Sequence, residues 1–213
     1  MITGIKILLQ KNMVRWPEKL KKELANCDKV LDLGCGKNSL IQYCNVPFSV
    51  GVELYEPYLE ESKEKKIHNK YLHADVNKIE FESDSFDAVL ILDLIEHLSK
   101  ADGHQLILNA KKWAKKKVII LTPNGYLYQE DFEQNPLQKH KCGWDVHELE
   151  DLGFNVTGMR GFKNFYNYYP ELKITEVKYK PKKFWTVIAE LTNCITYFYP
   201  RYGLELFCKW ENF

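Results

Sequence analysis

Four carboxylates and two histidines carry the chemistry that can be read from this chain. Asp32, Glu53, Asp75 and Asp93 each stand in or at the end of a short apolar run, and His97 and His140 follow further along. The most telling run is Val30-Leu31-Asp32-Leu33-Gly34-Cys35-Gly36-Lys37-Asn38. An apolar strand that hands over to two glycines spaced by one makes a tight turn whose main chain can lie against a ligand, because glycine has no Cβ and tolerates positive φ. A helix starting after such a turn would aim its free N–H groups at the same spot. The turn alone does not name the ligand. A dinucleotide fingerprint wants a third glycine where Ser39 stands, and no G-K-[ST] follows for a phosphate loop. An acid beside the turn repels a pyrophosphate, so Asp32 better suits a ligand with a cationic amino group.

The downstream acids extend that site. Ser49-Val50-Gly51-Val52-Glu53-Leu54 reads as a second strand, with Glu53 placed 53 − 32 = 21 positions after Asp32. A carboxylate there can accept hydrogen bonds from both hydroxyls of an unphosphorylated ribose. Tyr71 to Val76 makes a third strand, with Asp75 as an acceptor for an adenine amino group or as an ordinary Asx turn, and with His73 and Val76 as wall residues. Phe86 to Asp93 is almost continuously apolar, as a strand buried on both faces should be. Val118 to Asn124 is a fifth strand.

Six segments together resemble the class I S-adenosylmethionine-dependent methyltransferases, in particular the broad group that includes the ubiquinone and menaquinone biosynthesis enzymes. They are Val30–Gly36, Gly51-Val52-Glu53, Ala74-Asp75-Val76, Ser85–Val89, Asp93-Leu94-Ile95-Glu96-His97-Leu98 and Leu121-Thr122-Pro123-Asn124. The resemblance spans about residues 28 to 160 and departs from the family at Asn38, where a third glycine is common. It implies a Rossmann-like three-layer α/β sandwich, a mostly parallel seven-stranded sheet with an antiparallel last strand. It also implies S-adenosylmethionine as cofactor, held by Asp32, Gly34, Cys35, Gly36, Glu53, Leu54, Asp75, Val76 and Asp93. Methyl transfer would go to a small-molecule acceptor. A protein or nucleic-acid methyltransferase and a non-catalytic cofactor-binding relative are the other readings. His97, just past the fourth strand, and His140, in the long loop Gly125 to Gly143, compete as the base that deprotonates the acceptor. Each could equally be a packed or carbonyl-bonded histidine. Glu96 and one histidine do not make a metal site, and none is expected.

Length and composition agree with one α/β domain. The chain has 213 residues, 45% hydrophobic, with net charge +1. That is enough for one sizeable core, and near-neutral charge gives no global field for nucleic acid, so no nucleic-acid partner is expected. The six cysteines show no C-x-x-C spacing and read as reduced thiols of a cytoplasmic protein. No apolar run reaches the roughly 18 residues that a spanning helix needs, and no secretory leader is evident.

The remaining elements position these residues. Residues 1–27 form an N-terminal helical segment, with a helix over 5–25 in which Ile7, Leu8 and Leu9 would lie across the sheet or over the cofactor. Helices are expected over 38–45, 56–66, 100–114 and 144–152, with Ser99 capping the third, Gly153 stopping the fourth, and Lys111 to Lys117 as a solvated helix end. Phe154–Met159 and Tyr202–Trp210 should form the last, antiparallel hairpin. The insertion 162–200 carries lysines before an aromatic-rich helix over 184–199. That helix could pack on its own domain, touch a membrane surface, or form the face of a homodimer.

Overall fold

The computed structural model describes residues 16–130, 135–169 and 174–212. The expected helix segment 5–15, with Ile7, Leu8 and Leu9, lies outside these residues, as do Asp131 and Phe132 of the long loop. In chain order the elements are α1 (Trp16–Glu23), β1 (Lys29–Leu33), β2 (Phe48–Glu53), α2 (Glu56–Glu64), β3 (Lys70–His73), β4 (Phe86–Leu92), α3 (Lys100–Trp113), β5 (Ala114–Pro123), α4 (Val146–Asp151), β6 (Asn155–Phe162), β7 (Tyr166–Tyr169), β8 (Ile174–Val177), α5 (Lys182–Leu191), α6 (Asn193–Thr196) and β9 (Gly203–Glu211).

Seven strands form one sheet in the order β3-β2-β1-β4-β5-β9-β6, and β7 and β8 form a separate hairpin. β1 to β5 are parallel to one another; β9 runs antiparallel between β5 and β6. The expected architecture, with its antiparallel last strand, is the one observed. The order reverses between β1 and β4, which is where open α/β sheets leave a crevice at their strand ends.

Strand alternation divides the core into two layers. Leu31, Leu33, Val89, Ile91, Val118 and Ile120 point to one face, where Leu106, Ile107 and Trp113 of α3 and Leu149 of α4 cover them. Val30, Ala88, Leu90, Ile119 and Leu121 point to the other, under Leu20 and Leu24 of α1 and Ile41. The middles of β1, β4 and β5 are thus sealed on both sides, which is why Val30-Leu31, Ala88 to Ile91 and Val118 to Leu121 are apolar.

Local signals set several boundaries. Ser99 caps α3 by accepting from the Asp102 N–H at 3.1 Å. Asp145 and Glu148 form a reciprocal capping box at the start of α4, and Gly153 follows its end at φ 77°. Four expectations are corrected. The segment 38–45 holds only a single 3-10 turn, Leu40–Tyr43, because Pro47 leaves no room for a longer helix before β2. Lys115 to Lys117 belong to β5, not to a helix end: α3 stops at Trp113 and the chain pairs at once with β4, Phe86 opposite Ala114. Lys116 and Lys117 then meet separate acids, Asp87 at 2.9 Å and Glu23 at 3.7 Å. β3 ends at His73, so Asp75 lies beyond it in an Asx turn, accepting from the Asn77 N–H at 3.0 Å. The helix expected over 184–199 breaks at Thr192 into α5 and α6. The insertion is anchored on β6, where the Gly161 N–H donates to Asn193 and the Phe162 N–H to Thr192. Its outer face leaves Phe184, Val187, Ile195, Phe198 and Tyr199 exposed. No helix among the described residues is long and apolar enough to cross a membrane.

Candidate active site

A cavity of about 300 Å³ opens at the strand switch. Gly34 and Gly36 of the turn after β1, Glu53 and Leu54 at the end of β2, Asp75 and Val76 after β3, and Asp93 after β4 line one part of it. Leu94, His97 and Leu98, then Asn135, Leu137, Gln138 and Lys141 of the long loop, line the rest. Seven of the nine residues expected to meet the cofactor therefore border one cavity. Asp32 and Cys35 are not among its lining residues.

The turn has the backbone its sequence implies. Gly34 and Gly36 have φ of 64° and 56°, a region L residues avoid. A Cβ on Gly34 would come within 2.7 Å of the Leu94 side chain, whereas one on Gly36 would meet nothing within 4 Å. The open space at Gly36 is the cavity itself. Glu53 fixes the turn from the neighbouring strand: its carboxylate accepts from the Gly36 N–H at 2.9 Å and from the Tyr55 N–H at 2.8 Å. Each oxygen keeps one lone pair beyond these bonds. The carboxylate is thus held in place by the backbone, with acceptor capacity left for a ligand.

Asp32 sits beneath the turn. It is 1% exposed and accepts from the Ser39 hydroxyl. Its other neighbour is the His68 ring, Nε2 3.5 Å from Oδ2. Burial pushes the Asp32 carboxyl up to about 7 and the His68 imidazole down to about 4, so both groups favour their neutral forms. Cys35 packs its sulfur against Gly51, where a Cβ would come within 2.9 Å. Its thiol is raised by burial and by Asp32 and Glu53, and it is not a nucleophile at neutral pH.

Asp93 takes φ of 50°, a strained value for a non-glycine residue at a strand end. Its carboxyl, on the cavity wall, is pushed up to about 7, first by desolvation and then by Glu205, with Arg160 opposing. Arg160 and Glu205 form a direct pair across β6 and β9.

The two histidines do not occupy rival places: their rings meet, with centroids 4.8 Å apart. The 3-10 turn Ile95–His97 and the loop Lys139–Trp144 are stitched together, which brings this about. The Lys141 and Cys142 N–H groups donate to the Glu96 carbonyl, and Trp144 Nε1–H donates to the Ile95 carbonyl at 3.3 Å. Trp144 is fully buried against Gly103, leaving no space for a Cβ there. His97 is pushed down to about 4 and His140 is lowered, both chiefly by burial. Glu96, also buried, accepts from the Thr122 hydroxyl at 3.1 Å.

Sequence reasoning did not single out Ser39 or His68, which act on Asp32, nor Asn135 and Leu137, which complete the cavity wall. The Asn135-Pro136 pair was a legible turn signal. Nothing in the sequence placed His68 beside Asp32.

With this geometry in place, comparison with known proteins gives the class. Residues 31–128 match a family model described as a methyltransferase domain. No curated protein sequence matches the chain. Among solved structures, the chain is similar to a SAM-dependent methyltransferase from Archaeoglobus fulgidus, with TM-score 0.55 and 19% identity over 97% of this chain and 99% of that one. It is also similar to the N-terminal domain of EvdMO1 with SAH bound, with TM-score 0.50 and 16% identity over 63% of this chain and 66% of that one. Residues 31–128 thus match a methyltransferase domain, and the chain shares its fold with these two solved structures.

Proposed function

We propose that the protein transfers a methyl group from S-adenosylmethionine to a small-molecule hydroxyl acceptor, as one domain spanning 1–213 with 162–200 inserted before the last strand. When bound, the cofactor supplies a methyl group already activated on a sulfonium, so the protein's task is alignment and exclusion of water. The residues present fit the cofactor. Gly34 and Gly36 give a bare main chain at the cavity wall, Glu53 offers free lone pairs to ribose hydroxyls, and Asp75 stands at the adenine end. Asp32, by holding Ser39, supports the turn from below rather than touching the ligand. Asp93, Leu94, His97 and Lys141 form the acceptor end.

One observation carries this reading. The cavity at the switch between β1 and β4 joins the proposed cofactor residues to His97 and to the loop 135–141 in a single enclosure. A compact enclosure walled by a loop suits a small acceptor better than a polymer.

Two measurements test it. S-adenosylhomocysteine should raise the melting temperature of the protein by mass action. A screen of small hydroxyl compounds with S-adenosylmethionine should yield S-adenosylhomocysteine only with the true acceptor. No thermal shift at millimolar ligand would defeat the cofactor assignment, and turnover on nucleic acid or protein alone would defeat the acceptor class.

A further inference from the structure

His97 and His140 have the same arrangement. The Nδ1 of His97 lies 3.3 Å from the Lys139 carbonyl, and the Nδ1 of His140 lies 2.6 Å from the Leu127 carbonyl. A carbonyl oxygen only accepts, so each Nδ1 must carry the proton and donate it. Each Nε2 is then a bare lone pair. Both rings are buried and meet edge to face. Glu96, 2% exposed, completes the group, and one ligand atom from each of the three residues lies within 4.8 Å of the others. Glu96 takes one hydroxyl hydrogen bond from Thr122 and forms no ion pair with a lysine or arginine among the described residues.

Two imidazoles and a carboxylate gathered this closely lack a positive centre among them. Histidines that ligate a metal characteristically donate their other ring N–H to a backbone carbonyl, which sets the tautomer and the ring direction. Tetrahedral ligands on a first-row cation stand about 3.4 Å apart, at bonds of about 2.1 Å, so atoms as far apart as 4.8 Å must close by about 1.4 Å as the side chains turn onto the ion. Two nitrogens and one oxygen suit manganese, iron, cobalt or zinc better than magnesium or calcium.

We propose that Glu96, His97 and His140 bind one first-row divalent cation with coordination positions left open toward the cavity. The site shares His97 with the cavity wall, so the cation stands at the acceptor end and takes a hydroxyl oxygen of the acceptor. Its role rests on the methyltransferase reading above. The cation withdraws electron density from that oxygen, the O–H bond breaks with its proton passing to solvent water, the O–C bond forms, and the S–C bond of the sulfonium breaks. A methyl ether and S-adenosylhomocysteine result. The histidines act as ligands in this scheme, and neither serves as the base.

The metal can be tested without turnover. Chelator-treated protein is titrated with manganese(II), and free manganese is read by its electron paramagnetic resonance signal. One manganese should bind per chain, zinc(II) should displace it, and pulsed spectra should show coupling to imidazole nitrogen. Glu96→Gln and His140→Asn should each weaken binding by about tenfold or more. Calorimetry with S-adenosylhomocysteine on the same samples reports whether the fold and cofactor cleft persist, so a failed cofactor reading is seen separately from a failed metal site. Manganese that stays free at millimolar protein, bound manganese without nitrogen coupling, or a folded His140→Asn variant that binds as well as wild type would overturn the proposal. The wild-type spectra decide even where a variant does not fold.

Discussion

Replacing Glu53 should damage the protein twice, once in stability and once in cofactor affinity. The carboxylate accepts two backbone N–H groups, from Gly36 and Tyr55, and so joins the turn after β1 to the start of α2. A hydrogen bond to a charged acceptor contributes about 1.5–3 kcal/mol. Glu53→Ala loses both, which sets an upper bound of about 3–6 kcal/mol; since the group borders an open cavity, water can replace part of this, and about 2–4 kcal/mol is expected. Glu53→Gln keeps one acceptor oxygen and turns an NH2 toward the other N–H, so it should cost about 1.5–3 kcal/mol. Affinity should fall by a further about 1–3 kcal/mol in the alanine variant, roughly 5- to 150-fold in Kd. Urea unfolding without ligand gives the first number, and calorimetry with S-adenosylhomocysteine well below the unfolding midpoint gives the second. The order wild type, glutamine, alanine should hold in both. If Glu53→Gln matches wild type in both assays, the carboxylate neither clamps the turn nor meets the ligand, and the argument fails.

Asp32 should give the ligand-free protein a distinctive pH dependence. Its folded-state value is raised from 3.8 to about 7, so the folded state holds the proton more tightly than the unfolded chain. The stabilisation is fully present below 3.8 and is lost as pH rises through about 7. Asp32→Asn stays neutral throughout and should be the more stable protein at pH 8, by at most about 4 kcal/mol. His68 remains in both proteins, so the difference between their urea-unfolding curves across pH isolates Asp32; a difference independent of pH would contradict its buried, proton-binding state. Gly103→Ala places a Cβ 2.6 Å from the Trp144 ring and should destabilise by about 1–3 kcal/mol through overpacking, detectable as a lowered urea midpoint. Because Trp144 ties the loop to the Ile95 carbonyl, the same variant should bind manganese more weakly than wild type, and unchanged binding would show that the loop is held by other means. Thr122→Val removes the hydroxyl that donates to Glu96 and should weaken manganese binding by about tenfold while leaving S-adenosylhomocysteine affinity intact.

The cofactor side of the site was legible because it is local. Gly34 and Gly36 sit directly after a strand, and Glu53, Asp75 and Asp93 each stand at or just beyond a strand end, so periodicity alone carries them to one sheet edge. The double-sided burial of β4 and the antiparallel placement of β9 could likewise be anticipated, from an unbroken apolar run and from the family resemblance. Errors arose where short-range signals compete. A lysine-rich segment after a helix reads as a helix end, yet Lys115 to Lys117 continue into β5 because strand pairing with β4 outweighs their polarity.

What the sequence by itself determined is therefore the alternation of strands and helices, the glycine turn and the line of acids along it, since each depends on neighbours a few residues apart. Tertiary structure alone decided that Asp32 lies under the turn with His68, and that the rings of His97 and His140, 43 positions apart (140 − 97), meet beside Glu96. Those contacts depend on backbone hydrogen bonds between a 3-10 turn and a distant loop, and no local pattern of residue types encodes which carbonyl a given ring will find.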